Sequence, residues 1–176
     1  LEHLSQDYGR NIYIKRDDFT GTELSGNKIR KLEYTIQYAL DHEYDTIITT
    51  GAVTSNHARA TTALCAKENL ECHLVLSGSQ QLVEGNLFLN QLMGARIHSI
   101  ESSNERDVTM KTIASELQEE GKRPLIVPVG ASDWIGTHGY VNAYKEILKQ
   151  EHQLGIKFDV INVAVGSGGT YAGLWY

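Results

Sequence analysis

The feature that most constrains this chain is a recurrence of short, apolar, β-branched runs, each followed by a helical pattern. The runs are Ile12-Tyr13-Ile14, Thr46-Ile47-Ile48-Thr49-Thr50, Cys72-His73-Leu74-Val75-Leu76, Ala95-Arg96-Ile97-His98-Ser99-Ile100, Leu125-Ile126-Val127-Pro128-Val129 and Val160-Ile161-Asn162-Val163-Ala164-Val165. From Ile48 their centres fall at Val75, His98, Val127 and Val163, gaps of 27, 23, 29 and 36 residues. A strand, a crossover helix and two short loops need that much chain. The runs are almost continuously apolar, which suits a parallel sheet covered on both faces. Between them, Leu32, Ile36, Ala39 and Leu40 form one helical stripe and Ala60, Ala63 and Leu64 another. Glu116–Glu120 reads as a polar helix end closed by Gly121. The prediction is a doubly wound α/β fold. Residues 45–139 are expected to form a small four-stranded domain, with 1–44 and 140–176 contributing to a second.

Charge and rare residues narrow the function. A net charge of −6 argues against a general nucleic-acid surface. A local basic cluster at Lys15, Arg16, Lys28, Arg30 and Lys31 reads either as a solvated helix face or as part of a site. Cys65 and Cys72 form no Cys-x-x-Cys, so a reducing compartment and buried structural thiols are expected. The seven His show no metal-binding spacing, and no metal is expected. No apolar run approaches the ~20 residues that span a bilayer, and the start has no signal-peptide pattern, which reads as cytoplasmic. Leu1-Glu2-His3-Leu4 begins in mid-pattern without Met, and Gly173-Leu174-Trp175-Tyr176 stops where a helix should start. A piece of a longer protein is expected.

Four segments carry chemistry. Val165-Gly166-Ser167-Gly168-Gly169-Thr170 follows one apolar run and precedes a helical pattern. Its glycines would let the backbone approach an anion while free N–H groups point at it. It is neither a P-loop nor a dinucleotide fingerprint, and a plain tight turn is the alternative. Ser25-Gly26-Asn27-Lys28 opens an amphipathic helix with a Lys in its first turn. The positive end of the helix dipole would lower the pKa of that amine, which favours Schiff-base chemistry; a snorkelling surface Lys is the alternative. Ser55-Asn56-His57 follows the second run. Ser55 suits an N-cap, yet a cap alone needs neither Asn nor His. Finally, the polar stretch Val129–Tyr140 follows a strand, where loops tend to hold ligand contacts.

Taken together, Lys15-Arg16-Asp17-Asp18, Gly26-Asn27-Lys28-x-Arg30-Lys31-Leu32-Glu33, Ser55-Asn56-His57-x-Arg59, Val127-Pro128-Val129-Gly130 and Gly166-Ser167-Gly168-Gly169-Thr170-x-Ala172-Gly173-Leu174 resemble the D-cysteine desulfhydrase and 1-aminocyclopropane-1-carboxylate (ACC) deaminase family. These are pyridoxal-phosphate (PLP) enzymes of the tryptophan-synthase β type, fold type II, with two open twisted α/β domains. The resemblance runs in order over the whole chain and implies that the large domain is incomplete here. It implies that Lys28 holds PLP as a Schiff base and later shuttles the substrate Cα proton. Asn56 would contact the cofactor 3-oxygen, and Gly166, Ser167, Gly168, Gly169 and Thr170 would cradle the phosphate. Ser55, with Asn56 and His57, would bind substrate, Ser55 also as a catalytic group. Two departures stand out: Ser25 replaces a usual Gly, and Thr54 a usual Gln. His57 resembles the desulfhydrase branch more than the deaminase branch.

The expected activity is therefore a PLP-dependent lyase or deaminase on a small amino acid. D-cysteine desulfhydrase would release pyruvate, ammonia and sulfide by α,β-elimination; ACC deaminase is the alternative. A non-catalytic α/β module that binds a phosphorylated ligand, or an inactive fragment, is the reading from another class. The resemblance further implies a homodimer. The partner of the pyridine nitrogen and the substrate tyrosines are expected outside this chain, which alone is expected to be inactive.

Overall fold

Four of the six apolar runs pair into one parallel sheet in the computed structural model, which describes residues 1–20, 26–78 and 83–176. The strands are β1 (Thr46–Ala52), β2 (Glu71–Ser77), β3 (Arg96–Ile100) and β4 (Pro124–Ile126), in the order β3-β2-β1-β4. β1 lies at the centre, with Ile47 opposite Cys72 on one side and opposite Leu125 on the other. Its first six residues are all buried, because helices cover both faces.

The helices are α1 (Glu2–Tyr8), α2 (Asn27–Asp41), α3 (Asn56–Lys67), α4 (Gly85–Leu92), α5 (Arg106–Glu119), α6 (Trp134–Leu154) and α7 (Gly169–Trp175). Side chains alternate across the sheet. Ile47, Leu74 and Leu76 join Ile29, Leu32 and Ile36 of α2 and Leu64 of α3 in one core. Ile48, Val75 and Ile100 face Met110, Ile113, Ala114 and Leu117 of α5, a spacing that places all four on one helical face. Cys65 and Cys72 are buried free thiols in the first core. None of the described helices is long and apolar enough to cross a membrane.

The chain lays β1, β2 and β3 outward to one edge, then returns to place β4 on the opposite side of β1. Strand order therefore reverses between β1 and β4. In open α/β sheets a crevice opens there, at the strands' carboxyl ends, and ligands use it. β1 leads there into the Ser55 turn, and β4 leads into residues 127–133.

Three expectations change. Ile12–Ile14 and Val160–Val165 are not strands. An extended run becomes a strand only when a neighbour takes up its backbone N–H and C=O groups, and among the described residues these two have no ladder partner. Val160 and Val165 are accordingly 70% and 63% exposed. The Leu125–Val129 run pairs only as far as Ile126, with Val127 N–H still donating to Ile48 O at 2.8 Å. Pro128 then offers no N–H, and Val129–Ala131 winds into a 3-10 turn. All four strands lie within residues 45–139, and the far limit of that interval falls inside α6.

Candidate functional site

Glycines decide how closely α2, α6 and α7 meet. A Cβ on Gly139 of α6 would collide with the backbone carbonyl of Arg30 on α2. One on Gly173 of α7 would lie 2.5 Å from Tyr140 Cβ. The helices thus pack backbone to backbone, which brings the N-terminus of α2 beside that of α7. Polar contacts lock the arrangement. Arg30 Nε donates to Asp17 at 2.9 Å, and its two terminal nitrogens donate to Glu146 at 2.8 and 3.0 Å. Tyr140 Oη donates to Asp17 at 2.7 Å, and Lys15 pairs with Glu146 at 2.9 Å. Arg30, then Lys15, hold the Glu146 carboxyl down at about 2. Of the basic cluster, Lys15 and Arg30 are therefore a structural clamp, while Arg16 pairs with Asp18 on the surface.

Where α2 and α7 meet there is a small cavity of about 60 Å³. Lys28 and Lys31 line one wall; Gly166, Ser167, Gly168 and Thr170 line the other. Lys28 Nζ donates to Asn27 Oδ1 at 3.2 Å, and burial lowers its pKa. Burial at the start of α2 supplies the lowering expected for this amine. Gly168 has φ +87°, a left-handed conformation that a side chain would strain, and open space lies where its Cβ would stand. Gly169 lies against Ser132 and is buried, as is Thr170. The helix pattern after the turn holds, but the strand expected before it does not form. Ser25 lies outside the described residues.

None of Ser55, Asn56 and His57 lines this cavity, although the charges of Lys28 and Lys31 reach His57. Ser55 Oγ accepts from Ala58 N–H at 3.1 Å, the N-cap of α3. Asn56 is exposed, and its Oδ1 accepts from Asn86 Nδ2 at 3.1 Å. The ring of His57 turns into the core. Thr49 Oγ1 donates to Val127 O at 2.8 Å, so the 2.9 Å contact between Thr49 Oγ1 and His57 Nε2 needs the proton on Nε2. His57 Nδ1 then remains a buried acceptor with no hydrogen-bond partner. Burial, then the charges of Lys28 and Lys31, push the His57 pKa down to about 3. A neutral ring at that depth can orient neighbours but cannot act as a base near pH 7.

Sequence reasoning missed two residues. Lys31 is 1% exposed, and its Nζ donates to Ser132 Oγ at 2.9 Å. Ser132 Oγ lies 2.6 Å from Ser167 Oγ in the glycine-rich turn. A signal for Lys31 existed, since i and i+3 positions share a helix face and Lys28 was already singled out. For Ser132 there was only its place in a polar loop after a strand.

The chemistry of this set fits a phosphorylated aldehyde. A half-buried amine with lowered pKa suits a carbonyl, and a glycine-rich turn with hydroxyls and a second lysine suits a phosphate dianion. Comparison with known proteins points the same way. The family described as "Pyridoxal-phosphate dependent enzyme" matches residues 1–176. A putative ACC deaminase of Pyrococcus furiosus is 46% identical over 176 residues, which is 99% of this chain and 53% of the relative. A bifunctional D-cysteine desulfhydrase/ACC deaminase of Arabidopsis thaliana, named mitochondrial, is 45% identical over 94% of this chain and 44% of its own length. The crystal structure of an ACC deaminase homologue superposes with a TM-score of 0.91 at 45% identity, covering 99% of this chain and 53% of the homologue. The chain thus spans about half the length of the curated relatives it matches.

Proposed function

The chain belongs to the pyridoxal-phosphate dependent enzyme family, and on that premise we propose that its full-length protein is a lyase or deaminase acting on a small amino acid. D-cysteine desulfhydration is the first reading and ACC deamination the second. The observation that carries the proposal is one cavity shared by Lys28 and the Gly166–Thr170 turn, two motifs far apart in sequence.

When bound, PLP supplies an electron sink for charge that develops at the substrate Cα. The chain's own residues do the remainder. Lys28, kept more readily neutral by burial, holds the cofactor through Nζ and then moves the Cα proton. Gly166, Ser167, Gly168, Gly169 and Thr170 hold the phosphate with amides and hydroxyls. Asn56 serves the cofactor ring oxygen. Ser55 uses an oxygen lone pair to cap α3, which leaves its hydroxyl hydrogen free to donate to a substrate carboxylate. The amides of Asn56 and His57, in the first turn of α3, have no intrahelical acceptor and point the same chemistry at that carboxylate. The His57 side chain acts through packing.

His57 favours the desulfhydrase reading, because it resembles that branch. The Pyrococcus furiosus relative's name favours the deaminase. A non-catalytic binder of phosphorylated ligands has less support, since it would not need a lysine with lowered pKa. Homodimerisation and a cytoplasmic location belong to the same reading. The full-length protein, loaded with cofactor, is to be assayed on D-cysteine and on ACC side by side. Sulfide and pyruvate from D-cysteine are expected. Ammonia from ACC alone selects the deaminase, and retention of cofactor with no turnover of either selects the binder.

A further inference from the structure

Lys31 presents a problem that the proposed function leaves unsolved. It is the bulkiest of the fully buried side chains, and an ammonium taken out of water is costly unless it is paired. Among the described residues no carboxylate comes within ion-pairing distance of it. Its direct partner is the neutral Ser132 hydroxyl. Among the described residues the charged or titratable groups around it are Lys28 on its own helix, Asp133 at the start of α6 and His57 on α3. Lys28 repels it, and among the described residues Asp133 is the anion that favours its charge. A Met or Leu would fill the same space without the desolvation cost.

The hydrogen bonds around Ser132 have a direction. Lys31 Nζ can only donate, so Ser132 Oγ accepts from it and must use its own hydrogen elsewhere. The Ser167 hydroxyl at 2.6 Å is the better-placed acceptor, against Gly130 O at 3.3 Å. Ser167 in turn keeps its hydrogen for a third group, and it lines the cavity that Lys31 also lines. The contact is tightly built. A Cβ on Gly130 would lie 2.7 Å from Ser167 Oγ, and one on Gly169 would lie 2.7 Å from Ser132 Oγ. A donor chain that starts at a buried cation becomes polarised along its length and favours an anion at its end.

We infer that Lys31, a buried cation, and Ser132 form a charge relay to the Gly166–Thr170 turn, with Lys31 as counter-ion to the phosphate of the bound cofactor. This rests on the proposed reading of the turn as the phosphate site. Lys31 is a positioning residue for that phosphate, distinct from Lys28, which takes the aldehyde. Burial, then Lys28, lower the Lys31 pKa to about 8, with Asp133 opposing. A bound dianion favours the charged amine, so phosphate binding draws a proton onto Lys31. The preference for a phosphorylated ligand therefore weakens as pH rises above about 8.

The test compares PLP with pyridoxal, which has the same aldehyde and no phosphate, on full-length protein stripped of cofactor. Dissociation constants come from absorbance or fluorescence titration between pH 7 and 9.5. The ratio of the two constants isolates the phosphate, since both ligands engage Lys28. In the unmodified protein PLP is expected to bind far more tightly, with the preference shrinking above pH 8. Lys31→Met is expected to cut the preference on the order of tenfold to a hundredfold, the range for a charge-assisted hydrogen bond, and to flatten its pH dependence. Ser132→Ala should cut it several-fold, with Ser132→Thr restoring part. Should Lys31→Met fail to fold, the pH profile of the unmodified protein and the two Ser132 variants still decide. A full preference in Lys31→Met, or a pH-independent one in the unmodified protein, overturns the relay and leaves the phosphate site standing. Equal affinity for PLP and pyridoxal in the unmodified protein overturns the phosphate site itself. Inorganic phosphate added with pyridoxal is the remaining arm. If it restores affinity, the relay reads any phosphate dianion; if it has no effect at saturating phosphate, the relay as drawn is wrong.

Discussion

β1 and the segment Val160–Val165 are made of much the same residues, short runs of β-branched side chains ending near a glycine. Yet Ile47 and Ile48 are 0% exposed and Val160 is 70% exposed. β1 has a strand on each edge and helices on each face; the later segment has neither among the described residues. Burial is thus a property of partners and not of the run itself. The contrast also separates two segments singled out for chemistry. The Ser55 turn hangs from the closed sheet, whereas the Gly166 turn follows a segment that no ladder holds and is placed instead by α7 packing on α6. Beside it, an open apolar groove of about 380 Å³ runs between α6, α7 and residues 157–163.

The comparison can be broken most forcefully at Lys28, where the two segments have to act together. In the full-length protein, Lys28→Ala is expected to abolish the visible absorption of covalently held PLP and to lower turnover on the order of 10³-fold or more. Borohydride labelling of a different lysine would show that the segments meet elsewhere. Next in size is the core. Ile48→Ala is expected to destabilise the 176-residue chain by about 2–5 kcal/mol in urea denaturation, while Val160→Ala changes it by no more than about 0.5 kcal/mol. Equal costs would mean that the later segment is packed after all.

A pH scan sharpens the same contrast. His57 belongs to the closed region, and its folded pKa of about 3 lies below the unfolded value near 6.5. The unfolded state therefore takes up the proton first. Stability is complete above pH 6.5 and falls as pH drops, by roughly 2 kcal/mol at pH 5, levelling off only below pH 3. Denaturation at pH 7 and pH 5 should show this loss, and His57→Asn should remove most of it. A smaller loss is expected at Ser55. Ser55→Ala should cost about 1 kcal/mol of stability through the lost cap and lower kcat by roughly tenfold, with a normal cofactor spectrum. Loss of PLP with kcat intact would leave Ser55 as a cap alone.

Much of the architecture was legible because it is local. Continuous apolar runs at βα spacing located all four strands, and the stripe through Leu32, Ile36 and Ala39 located α2. Leu40 belongs to the same stripe in sequence and is 38% exposed, whereas Ala39 beside it is 0% exposed. The motifs around Lys28, Ser55 and Gly166 were legible for a related reason. Special backbone and unusual polar residues at element ends need chemistry to justify them.

The amino-acid sequence by itself determined the α/β rhythm, the six apolar runs from which the sheet is drawn, and the family. Those follow from continuous apolar runs at βα spacing, from a helical period of 3.6 residues and from motifs a few residues long. Only the tertiary structure decided which apolar runs became strands, because a ladder needs a neighbour that the run does not contain. Only it turned Lys31 from a member of a basic cluster into a buried cation, through a hydrogen bond to a serine 101 residues away. Only it turned the His57 ring inward to Thr49, leaving the outward chemistry of that segment to Ser55, Asn56 and the backbone. Such contacts depend on where helices cross, and here backbone-to-backbone packing at Gly139 and Gly173 sets the crossing.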